Sequence, residues 1–146
     1  GRTIKKECDL TSYDLDCCSV RNPQDARQGL DLRAISLSGK TARGASFQKT
    51  ILPSEMTEGS FKGANFYLAD FENANLTGSD FRNANLQSAN LTEVQLPKIE
   101  DLFLTSTEFR EALYDKNTKL PKAWGQTRSE QIKVATDLGM QDVTPQ

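Results

Sequence analysis

The chain holds 146 residues, of which 36% are hydrophobic and 26% charged, with a formal net charge of -2, an isoelectric point near 5.2 and no histidine. That length suits one domain, and the weakly acidic balance offers no general attraction to phosphate backbones or anionic membranes, so no nucleic-acid partner is expected. The lack of histidine removes the commonest zinc ligand and the commonest base near neutral pH, and no apolar run approaches the roughly 18 to 20 residues that span a bilayer.

In chain order, the first regularity is Leu10, Leu15 and Val20 at a spacing of five, each preceded by a polar residue: Asp9, Asp14 and Ser19. Tyr13 is too large for the small site that this pattern implies two positions before Leu15. All three cysteines lie here, and Cys8 and Cys18 each fall two residues before an apolar position. They read as small interior residues, since free cysteine packs as a small hydrophobe. Alternatively, Cys8 pairs with Cys17 or with Cys18 in an oxidising compartment and leaves one free thiol. Three thiols without histidine make an incomplete metal site, so no metal is expected. The spacing of five returns at Leu32, Leu37, Ala42, Phe47 and Leu52. It slips after Pro53, where Met56 takes an imperfect inward position, and proline suits a turn there.

The centre is strict. Phe61, Phe66, Phe71, Leu76, Phe81, Leu86, Leu91 and Leu96 recur every five residues. Two positions before each stands a small residue, such as Ala64, Ala69, Ala74, Ser79, Ala84 and Ala89, and Asn or Asp stands between at most units. A helix needs a period near 3.6 and a strand near 2, so a period of five means short extended segments joined by regular turns. Residues two apart in an extended segment share a side, which puts the large and the small residue inward and the polar one outward. The remaining pair, such as Lys62-Gly63, suits an exposed corner.

After a second slip at Pro97-Lys98, a third phase runs through Ile99, Leu104, Phe109 and Tyr114. Leu120 to Gly125 reads as a loop that lays Trp124 over the last coil. Thr127 and Glu130 have the spacing of a capping box, Ile132, Ala135 and Leu138 mark one face, and Gly139 is a fitting stop, which predicts a helix from about Arg128 to Leu138.

The unit Ala-Asn/Asp-Leu/Phe, present as Gly-Ala-Asn-Phe, Asn-Ala-Asn-Leu and Ser-Ala-Asn-Leu, strongly resembles the pentapeptide-repeat family. The resemblance implies an all-β solenoid, a right-handed quadrilateral β-helix of about five coils, here with a C-terminal helical cap. Residues 1–126 then form the β-helix, strongest over 59–96, looser over 8–52 and 99–114, with a loop at 115–126; residues 127–146 form the capping helix and tail. The inward core comprises Phe47, Phe61, Phe66, Phe71, Leu76, Phe81, Leu86, Leu91, Leu96, Leu104 and Phe109, and Trp124, Ile132 and Leu138 belong to the cap. Within a four-sided coil, residues 20 apart stack, so Phe61 is expected over Phe81.

The same resemblance implies a non-catalytic module that binds another protein or protein complex. The segment from Ala112 to Pro121 looks like the closing segment of photosynthetic-lineage members, which implies the chloroplast thylakoid lumen and a scaffold, assembly or auxiliary role beside a photosynthetic complex such as a photosystem. A removed transit peptide would account for a chain that starts at Gly1. The alternatives are a cytoplasmic location and a DNA-mimic regulator of a type II topoisomerase, for which a longer rod and more acidic faces are expected. No catalytic residue, cofactor or metal site is expected: the acidic residues Glu100, Asp101 and Asp115 read as solvated turns, and Asn65, Asn75, Asn85 and Asn90 as residues that hold corners. No phosphate loop, nucleophile elbow or zinc spacing is present.

Overall fold

The computed structural model describes residues 6–22, 24–25, 29–102 and 107–145. Leu104, expected in the core, lies outside the described residues. Single parallel β-bridges, one per five-residue unit, stack the chain into four columns. The first holds Asp14, Thr41, Ser60, Asp80 and Glu108; the second holds Glu7, Ser19, Ser46, Asn65, Asn85 and Leu113. The third holds Asp31, Ile51, Asp70, Asn90 and Lys119, and the fourth Glu55, Asn75 and Gln95. Each bridging residue is the outward position of its unit, polar everywhere except at Ile51 and Leu113. Its backbone bonds run along the rod: Asn65 N–H donates down to Ala45 O at 2.8 Å, and Phe66 N–H donates up to Asn85 O at 2.8 Å. The ladder thereby satisfies backbone groups that two-residue strands cannot satisfy within a layer.

The corners are turns closed by bonds such as Ala64 N–H to Phe61 O, 3.0 Å, and at many of them the third residue has a left-handed φ: Gly63 at 69°, Leu68 at 59°, Gly78 at 76° and Asn83 at 60°. Glycine and asparagine suit that position, whereas Leu68 adopts it at a steric cost. Inside, Phe61, Phe66, Phe71, Leu76, Phe81, Leu86 and Leu91 are at most 1% exposed, and the alanines two positions before them are equally buried. Phe61 stacks on Phe81 at 5.2 Å, Phe47 on Phe66 at 5.1 Å and Phe81 on Phe109 at 5.6 Å. Each such side chain contributes about 1.5 to 3 kcal/mol on leaving water, and the offset rings somewhat more.

Below the centre, the small inward place before Ala42 is occupied by Lys40, which is buried. Its stem fills the interior, and Nζ donates to the carbonyls of Leu10 and Ser12, both at 2.8 Å. Tyr13, too large for the corresponding place, turns outward and is 73% exposed, with Lys40 Nζ 5.3 Å from its ring. Leu15 and Val20 are buried, while Leu10 is only half-buried. At the Pro53 corner Leu52 and Met56 are both buried although only four residues apart, because one residue of the unit is missing and the buried Pro53 stands in its place.

Above the centre the third phase is corrected. Ile99 is 36% exposed and lies in a short helix, α1, Ile99–Leu102, on an excursion that separates the bridged pair Asp80 and Glu108. Leu96, expected in the core, is half-buried against it. Phe109 and Tyr114 return inward at 2% exposure. The segment read as a loop from 115 to 126 instead continues the third column at Lys119, with Leu120 buried. β1, Leu113–Tyr114, pairs in parallel with β2, Gln141–Asp142, which adds a further rung to the second column. Between them runs α2, Arg128–Asp137, started by a reciprocal capping box in which Thr127 Oγ1 accepts from Glu130 N–H and Glu130 Oε1 accepts from Thr127 N–H. Arg128 donates to the carbonyls of Thr118 and Asp115, and Gly139, at φ 84°, turns the chain into β2.

Candidate functional site

The outward asparagines and aspartates are consumed by the fold. Asn65, Asp70, Asn75, Asp80, Asn85 and Asn90 each accept a bond at 2.9 to 3.1 Å from the backbone N–H two residues on, which fixes the corner that follows. Some also link along the rod: Asn85 Nδ2 donates to Asn65 Oδ1 at 3.3 Å and Asn90 Nδ2 to Asp70 Oδ1 at 3.2 Å. The corner after the first column carries Arg43, Lys62, Arg82 and Arg110 one above another. Arg43 pairs with Asp16 at 2.7 Å, Arg82 with Asp80 at 2.7 Å and Arg110 with Glu108 at 3.5 Å. Burial pushes the Asp80 carboxyl upward, but the side-chain and backbone bonds from Arg82 outweigh it and hold the group below its ordinary range.

Asp115 departs from its reading as a solvated turn. It is 8% exposed and accepts from the backbone N–H groups of Ser88, Asn117 and Thr118 at 3.0 Å. Burial raises its pKa, yet these donors, with the hydroxyls of Thr118 and Ser88, keep it lowered. It therefore ties one coil to the next. Glu100 and Asp101 are exposed in α1.

Cys8 and Cys18 are joined by a disulfide with Cα atoms 4.9 Å apart, and Cys17 is exposed. The bond closes the first rung of the second column, where Glu7 bridges Ser19. Trp124, in a single 3-10 turn from Lys122 to Trp124, is 3% exposed and meets Phe109 edge-on at 5.7 Å. Among the described residues its buried Nε1–H has no hydrogen-bond partner. Ile132 and Leu138 are half-buried, whereas Ala135 is fully buried at the helix contact.

Among the described residues no group of three or more Cys, Asp or Glu side chains is placed to hold a metal ion, and no helix is long and apolar enough to cross a membrane. Concave surface lies along the fourth column, against Glu55, Asn75 and Gln95, and at two irregular places. One cleft lies at the Pro53 corner against Arg33, Ile51, Asp70 and Glu72; another lies beside Leu96, Ile99 and Trp124. None of Arg33, Ile51, Asp70 and Glu72 stands out from spacing. The slip at Pro53 is the one signal in the sequence that points to them.

Residues 58–98 match the pentapeptide repeats, in eight copies. No curated protein matches the sequence. Among solved structures the chain is similar to a pentapeptide repeat protein from Nostoc PCC 7120, at 18% identity over 97% of this chain and 99% of that one, with a TM-score of 0.46. It is also similar to one from the Arabidopsis thaliana thylakoid lumen, at 25% identity over 82% of this chain and 86% of that one, TM-score 0.37. A third, Rfr23 of the cyanobacterium Cyanothece 51142, is 26% identical over 73% of this chain and 63% of that one, TM-score 0.33. The family's fold is the right-handed quadrilateral β-helix, and the four bridge columns are its four sides. The units from 58 to 98 are pentapeptide repeats, and the bridge ladder that stacks them extends over the coils on either side.

Proposed function

We propose that the protein is a non-catalytic interaction module: a scaffold, assembly factor or auxiliary subunit beside a photosynthetic complex, acting in the thylakoid lumen. One observation carries the non-catalytic reading. Interior space is filled by stacked apolar side chains, and the outward Asn and Asp groups are spent on their own corners, which leaves faces suited to contact rather than chemistry. The lumen and the photosynthetic partner follow from the likeness of Ala112 to Pro121 to the closing segment of photosynthetic-lineage members. Within this reading the rod has about five coils, and α2 with β2 closes its upper end against aggregation through an open sheet edge.

The test is co-migration with a photosynthetic complex in native gels of thylakoid extract; a chain that runs free of every complex defeats the proposal. The DNA-mimic alternative has less support. Carboxylates on the first face are neutralised by Arg43, Arg82 and Arg110 rather than presented as a continuous acidic strip. A gyrase supercoiling assay in which the chain has no effect removes it.

A further inference from the structure

The missing residue at the Pro53 corner has a geometric result. In the coils below and above, the corresponding corner carries two exposed residues, Arg33-Ala34 and Glu72-Asn73. Between them the chain passes from Leu52 to Glu55 through the buried Pro53, one residue shorter than a regular unit. The corner is drawn in, and a cleft of about 230 Å³ opens between its neighbours. Its floor is Ile51, 36% exposed, backed by the buried Leu52; Ser54 and Asn73 form the walls.

The rim is charged in an unbalanced way. Arg33 is gripped by Asp31 through two parallel bonds, Nε to Oδ1 at 3.0 Å and Nη2 to Oδ2 at 2.7 Å, and is neutralised by it. Asp70 accepts from Glu72 N–H and Asn90 Nδ2, both through Oδ1. Among the described residues neither Asp70 nor Glu72 has an ion-pair partner. Elsewhere on this side the carboxylates find cations, as Glu93 finds Lys122 at 3.0 Å. One cation against three carboxylates around an apolar floor is complementary to a long aliphatic stem that ends in positive charge.

We propose that the Pro53 cleft receives an arginine or lysine side chain from a partner protein, its stem against Ile51 and its cation between Asp70 and Glu72. The proposal rests on the interaction-module reading and specifies where that contact is made. It is tested by titrating the 15N-labelled full chain with the blocked tripeptide acetyl-Gly-Arg-Gly-amide and, separately, with its citrulline counterpart, which keeps the shape and loses the charge. The expected result is saturable amide shifts confined to Ile51, Leu52, Ser54, Glu72 and Asn73. Binding is about tenfold weaker for citrulline, the order set by one charge-assisted hydrogen bond. The paired variant Asp70→Asn with Glu72→Gln, which keeps the oxygens that hold the corner, loses the same tenfold.

Shifts scattered over the surface, or equal binding of the two peptides by the native chain, overturn the proposal whether or not the variant folds. In native gels, a variant that co-migrates with the complex as the native chain does overturns the cleft while sparing the interaction reading. A native chain that joins no complex overturns the interaction reading, and the peptide titration then decides the cleft separately.

Discussion

The two coils from Ser60 to Gln95 and the stretch just above them, from Pro97 to Phe109, are built under opposite rules. In the lower stretch every fifth residue is a large side chain at most 1% exposed up to Leu91, each corner is a short turn, and bridges fall 20 residues apart, as at Asn65 and Asn85. In the upper stretch the bridge from Asp80 reaches Glu108, α1 interrupts the path, and Ile99 faces solvent. Position within the coil, rather than hydrophobicity, decides burial: Ile99 is as apolar as Leu91 but no coil surrounds it. A solenoid tolerates such an excursion because each coil touches only its neighbours, and the ladder resumes once the chain returns to the right column.

The sharpest way to break this contrast is to empty the centre. Phe66 contacts the rings of Phe47, Phe61, Phe71 and Phe81. Phe66→Ala is expected to cost about 3 to 5 kcal/mol in urea unfolding, while Ile99→Ala stays within about 0.5 kcal/mol. Near-equal losses would dissolve the comparison.

Next in size is the disulfide. Cys8 and Cys18 are 10 residues apart, and the chain-entropy account gives about 3 kcal/mol for a loop of that length. Reduction is expected to speed hydrogen exchange at residues 6–20 and leave the amides of 60–95 protected, as read by mass spectrometry. Uniform deprotection would show that the rod melts as one unit.

A smaller effect attaches to Asp115, which joins the coil of Ser88 to the one above. Asp115→Ala is expected to cost about 1 to 3 kcal/mol by leaving buried N–H groups unpaired. Because its folded pKa is lowered, its stabilisation is complete above the unfolded carboxylate value, about 3.9, and is lost as pH falls through the folded value. Stability of Asp115→Asn should therefore fall less steeply below about pH 4 than that of the native chain. The smallest change tests corner strain: Leu68→Gly, at φ 59°, is expected to stabilise by up to about 1 kcal/mol.

What the sequence discloses follows from how local each cause is. Large, small and polar residues at fixed offsets encode the four-sided ladder directly, and the helix start at Thr127 is legible because both halves of its capping box lie within four residues. The path through Ile99 is not legible, since Ile99 and Leu104 happen to keep step with Phe109 and Tyr114, so spacing alone cannot reveal an excursion. Lys40 hides for another reason. Its inward stem is possible only because carbonyls of the neighbouring coil, at Leu10 and Ser12 some 30 residues away in sequence, wait for its amino group. Asp115 and the charge imbalance at Asp70 and Glu72 likewise depend on residues brought near only by stacking.

The second column sets the length of the molecule. From Glu7 through Ser19, Ser46, Asn65, Asn85 and Leu113 to Gln141 it climbs six steps on one side, about 29 Å at strand spacing. Groups attached at Glu7 and at Gln141 would therefore sit on the same side of the rod at opposite ends of that column.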